Sequence, residues 1–125
     1  MPVVWEQLLA IAQQEVSGII RGLPIHLRKQ VEELPITFEA RPGSEWIEDG
    51  VEADSLGLFF GPAFEEEENS ASPLPAQILL FLENIWAFAE EDESIYREEL
   101  RRTYLHELGH YLGLDEEDLG FRDLD

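Results

Sequence analysis

The sequence contains no cysteine. Disulfides are excluded, and so are thiolate metal ligands, so a metal ion in this chain would be held by imidazole nitrogen and carboxylate oxygen. A reducing compartment is compatible with that composition. Basic residues are also scarce. Only 8 Lys and Arg stand against 28 Asp and Glu, for a formal net charge of −20. Phosphate recognition needs a basic surface, so no nucleic-acid partner is expected. Anionic membrane surfaces are disfavoured for the same reason. The acidity first serves solubility; it would also attract cations, including metal ions and basic peptides. No apolar run approaches the roughly 18 residues of a membrane-spanning helix. The N-terminal segment lacks the basic region of a signal peptide, and Glu6 and Glu15 interrupt its apolar stretch. A cytoplasmic location is the expectation.

The 125 residues are 44% apolar and 10% aromatic, enough for one packed core, and one domain over 1–125 is expected. Val4, Leu8, Ile11, Ala12, Val16 and Ile19 fall on one face of a helix over 3–20. Gly22 ends it, and Pro24 opens a shorter helix whose buried side is Leu27, Val31 and Leu34. Ile36 to Ala40 alternates apolar and polar residues and reads as a strand. Arg41 to Ser44 reads as a turn, and the acidic stretch to Asp54 has no assignment. The run Leu56-Gly57-Leu58-Phe59-Phe60-Gly61 reads as a strand, at a sheet edge or beside a close backbone approach. Pro62 to Pro75 reads as a loop. Gln77 to Leu82 fits a buried strand or a buried helical turn, and 83–89 is ambiguous. A long helix over 93–112 follows, capped by the acidic segment 91–94, with Ile95, Leu100, Tyr104, Leu108, Tyr111 and Leu112 on its apolar side. Gly113 is placed to end it in a left-handed conformation. The order of elements predicts an α+β domain, with a small sheet packed against the long helix and the N-terminal helices.

The long helix carries His106-Glu107-Leu108-Gly109-His110. Residues four apart on a helix share a face, so His106 and His110 can aim two imidazole nitrogens at one zinc ion, at about 2.0–2.1 Å each. Glu107 stands beside them. Zinc brings the pKa of a bound water down to about 7, and the carboxylate can take its proton. With 3 His in the chain, shuffling its residues would produce this spacing about 1% of the time, so the helical context adds real weight. A catalytic zinc takes three protein ligands. The pattern extends through Gly113 to Glu116, a spacing similar to that of metzincins. Glu116 is the candidate third ligand, and Asp115 is the alternative.

The segment from Tyr104 to Glu116 resembles the signature of a family of small bacterial zincin-like metallopeptidases. Leu56 to Gly61 is similar to one strand of that family, the run ending Ile78-Leu79-Leu80-Phe81 to the next, and Leu23-Pro24 to an early helix start. The resemblance implies a minimal zincin fold, Zn2+ as cofactor and hydrolysis of peptide bonds. It also implies that the 56–61 strand lies at the edge above the cleft, where a peptide substrate could pair with it; an ordinary core strand is the alternative. The family commonly has Asp where this chain has Glu116. No Met follows the motif, so the Met-turn of metzincins is not expected.

Three functional readings remain open on sequence. The first is a zinc peptidase with His106, His110 and Glu116 as ligands and Glu107 as general base. The second is a zinc-binding structural or interaction module without peptidase activity, and the third is an acidic interaction protein with a vestigial motif. His26 reads as a surface residue, and Tyr104 and Tyr111 read as core. The identity of the substrate and the oligomeric state are not legible.

Overall fold

The computed structural model describes residues 4–62 and 76–113. Helix α1 spans Trp5–Gly22 and α2 spans Ile25–Glu32. Strand β1 is Ile36–Glu39, the short helix α3 is Ser44–Glu48, and β2 is Gly57–Phe60. Strand β3 is Gln77–Phe81, followed at once by α4, Leu82–Phe88, and then by α5, Glu93–Leu112. The architecture is α+β, as the order of elements implies. Two helices go beyond the sequence expectation. Helix α3 falls in the unassigned acidic stretch, and α4 replaces the ambiguous 83–89 segment and takes Leu82 from the expected strand. The expected loop over 62–75 lies almost wholly outside the described residues.

The sheet is mixed, in the order β1-β3-β2. Strand β3 pairs in parallel with β1, setting Phe38 beside Leu80, and antiparallel with β2, setting Phe59 beside Ile78. Its central position explains its sequence. Ile78, Leu79, Leu80 and Phe81 are all essentially inaccessible, because both faces of β3 are covered, and a strand buried on both faces has no reason to alternate. Among the described residues β2 is an edge strand.

Helix α1 is amphipathic and buries Leu8, Ala12, Val16 and Ile19, the stripe read from the sequence. It packs against α4 and α5. Two polar devices fasten it to α5. The Tyr96 hydroxyl, fully buried, donates to the Leu8 carbonyl at 3.0 Å. Glu15 accepts from Arg97 at 2.8 Å and from Arg101 at 2.5 Å. Burial alone would raise the Glu15 pKa, but the hydrogen bonds and charges of Arg101 and Arg97 outweigh it and hold the carboxyl below its ordinary value.

Helix α5 starts where its cap predicts: the Asp92 side chain accepts the Ile95 N–H at 3.0 Å. It ends at Gly113, whose φ of 70° is left-handed. The apolar side differs from expectation at one residue, since Ile95 is exposed. It sits in the first turn, and Tyr96 is the first residue of α5 to enter the core.

Candidate metal centre

Over its last turns α5 is buried nearly all round. Thr103, Tyr104, Leu105, Glu107, Leu108, Gly109, Tyr111 and Leu112 are all buried. Arg102, His106, His110 and Gly113 are exposed, and they form one open stripe at steps of four, four and three. The two imidazoles therefore sit on the solvent side, one turn apart, with ring centroids 4.7 Å apart. They share a face as the spacing requires.

Glu107 points elsewhere. It is only 8% exposed and lies under β2, where its carboxylate accepts the backbone N–H of Phe59. One carboxylate oxygen also lies 3.6 Å from His110 Nδ1. Burial is the largest influence on this carboxyl and raises its pKa; His106, His110 and the Phe59 N–H partly offset the rise. The site thus combines two accessible nitrogen donors with a shielded carboxylate whose proton affinity is raised by burial.

The register of the sheet explains why a Phe59 N–H is available. Phe81 N–H donates to the Leu56 carbonyl at 3.0 Å. Along an antiparallel pair the bonded positions alternate, so Leu58 and Phe60 face β3 while Gly57 and Phe59 turn their backbone groups to the outer edge. On that edge the Gly57 carbonyl accepts from Ser55 Oγ at 3.0 Å. The Phe59 N–H is taken by Glu107.

Close approach of β2 to α5 makes that bond possible. A Cβ on Gly57 would stand 2.6 Å from Thr103 Cγ2 and 3.2 Å from the Leu79 carbonyl oxygen. Only glycine lets the strand settle on the helix at this point. Phe59 and Tyr111 add a ring contact with centroids 5.8 Å apart, and Trp46 of α3 meets Phe60 edge-on at 5.2 Å. A cleft of about 320 Å³ opens between β2 and α5, lined by Leu56, Gly57, Arg102, Thr103, His106 and Glu107.

The structure thus brings together His106, His110 and Glu107. Glu116 and Asp115 lie outside the described residues, and among the described residues no cluster of three or more metal-ligating side chains occurs. The two imidazoles on one accessible face are of a ligand type that zinc takes. His26 is exposed on α2, and Tyr104 and Tyr111 are buried, as read. Sequence reasoning missed the Phe59 N–H and the Gly57–Thr103 contact. The glycine between two apolar residues was the available signal for close backbone approach, but not for the partner it approaches.

A His-Glu-x-x-His helix docked under the edge strand of a small mixed sheet is the arrangement that defines the zincin class. Residues 31–123 match the model of the zincin-like metallopeptidases, and the chain belongs to that family. No curated protein matches the chain.

Proposed function

We propose that this protein is a zinc-dependent peptidase, acting on a peptide or protein substrate, with His106 and His110 as metal ligands and Glu107 as general base. Glu116 is the third ligand in this reading, with Asp115 the alternative. The observation that carries the reading is the split on α5: the two histidines face solvent, while Glu107 between them is buried and anchored to β2.

Zinc, when bound, supplies a Lewis acid that polarises a carbonyl and makes water more acidic. The chain's own residues do the rest. The Phe59 N–H helps to hold the Glu107 carboxylate, one oxygen of which lies 3.6 Å from His110 Nδ1. Glu107 takes a proton from the attacking water and delivers it to the leaving amine nitrogen, which conserves the proton within the site. The outer edge of β2 supplies backbone groups, the Gly57 N–H and the Phe59 carbonyl, on which an extended peptide can align. Arg102 lies one turn before His106 on the same stripe and borders the cleft.

The cytoplasmic location and the absence of nucleic-acid and membrane partners belong to the same proposal. Among the described residues, no helix is long and apolar enough to cross a membrane. The test of the metal site is the zinc content of purified protein after dialysis against a zinc buffer. One equivalent per chain supports the reading; zinc far below one equivalent, with no uptake on addition, would sink it.

A further inference from the structure

A second concavity lies away from the histidines, where the start of α1, the end of α4 and the segment after β1 meet. It has a volume of about 270 Å³, and its walls include Trp5, Trp86, Arg41, Glu83 and Glu91. It sits beside the N-terminal end of α5, since Trp86 stacks edge-on against Tyr96 with centroids 5.4 Å apart. The metal ligands begin ten residues further along that helix, on the order of 15 Å away at 1.5 Å rise per residue.

The charges in this concavity are unequal. Arg41 Nε is engaged by Glu83 at 3.3 Å, so that cation already has its counter-ion. Glu91 has no ion-pair partner among the described residues. The pocket wall therefore includes two tryptophans, one compensated ion pair and one carboxylate without an ion-pair partner among the described residues.

The backbone places Glu91 there at some cost. Glu90 and Glu91 have φ values of 56° and 60°, a left-handed conformation that glycine or asparagine adopts more readily. The Glu91 N–H donates to the Trp86 carbonyl at 3.0 Å, which ties the strained residue to the aromatic one. Both residues follow the last turn of α4, where a left-handed residue is a common way for a helix to end. A helix end built for stability alone would be served better by glycine, which would take the carboxylate off the pocket wall.

We infer that this pocket binds the side chain of an arginine or lysine presented by a protein partner. Indole faces attract guanidinium and ammonium groups, and Glu91 supplies the counter-charge. The volume accommodates one long side chain. The chain's net charge of −20 favours a basic partner and speeds its encounter. The inference does not depend on the zinc site or on hydrolysis.

The experiment is a titration of the full-length isotope-labelled protein with three capped tripeptides, Gly-Arg-Gly, Gly-norleucine-Gly and Gly-Glu-Gly, and with spermidine, followed by amide NMR. The arginine peptide should shift the Trp5, Trp86 and Glu91 signals saturably, and the other two peptides should not. Glu91→Gln should weaken the arginine peptide at least fivefold while the remaining spectrum, and hence the fold, is unchanged. Trp5→Leu should weaken it as well. Saturable binding of the norleucine or glutamate peptide to the same signals would overturn the inference, as would an unchanged affinity in Glu91→Gln or no saturable shift at all. Spermidine binding more tightly than the arginine peptide would make this a small-molecule polyamine site and would equally overturn it.

Discussion

The backbone N–H of Phe59 on the edge strand donates to the Glu107 carboxylate and partly offsets the rise that burial imposes on its pKa, so the position of β2 bears on the candidate general base. Displacing β2 would take this donor away from Glu107, which links the packing of β2 to the environment of that carboxylate.

That coupling can be tested at Gly57. Gly57→Ala puts a methyl 2.6 Å from Thr103 Cγ2 and should destabilise the fold by about 1–3 kcal/mol in urea denaturation, the usual range for overpacking. Thr103→Ser removes that Cγ2 and should recover a large part of the loss in the double variant. Strictly additive effects would show that the contact does not set the strand position.

The histidines should be dispensable for folding. Both lie on the exposed stripe of α5, so His106→Ala or His110→Ala should change metal-free stability by no more than about 0.5 kcal/mol. Each should reduce bound zinc to well below one equivalent and remove hydrolysis. Zinc content measured alongside urea unfolding checks both halves.

The Glu15 cluster gives a pH dependence with a defined sign. The folded-state pKa lies below the ordinary value of 4.5, so the stabilisation is fully present above that value. It is lost as pH falls through the depressed folded value. Glu15→Gln should cost about 1–2 kcal/mol at pH 7, the range for a partly buried pair that loses one partner. The gap between the two proteins should narrow by pH 3, measured as urea midpoints.

Glu107 should behave in the opposite sense. Its pKa is raised by burial, so in the metal-free protein its ionisation costs stability as pH rises above the ordinary carboxylate value. Metal-free Glu107→Gln should be at least as stable as the parent at pH 7, because the amide oxygen can still accept the Phe59 N–H. Thermal unfolding in the presence of chelator checks this.

Much of this was legible in the sequence, for identifiable reasons. The helix over 93–112 carries its own signals at both ends, Asp92 and Gly113, and its bounds emerge as read. The steps of Leu8, Ala12, Val16 and Ile19 are local properties of α1, so they could be read without tertiary context. Helix α4 could not. Phe81 passes directly into Leu82 without turn residues, and its N-cap makes no side-chain hydrogen bond; only burial on both sides distinguishes that strand from that helix. Helix α3 is a single turn whose place depends on Trp46 meeting Phe60. At the site, the shared face of the histidines follows from helical geometry, whereas the Phe59 bond depends on long-range register.

The most direct test compares the parent with Glu107→Gln, both loaded with zinc, on a peptide library read by mass spectrometry. One equivalent of zinc is expected in each, with cleavage by the parent and a loss of at least about 100-fold in the variant, the lower end of general-base contributions. Equal cleavage by the two proteins, or zinc binding by both with no cleavage by the parent, would contradict the proposed function.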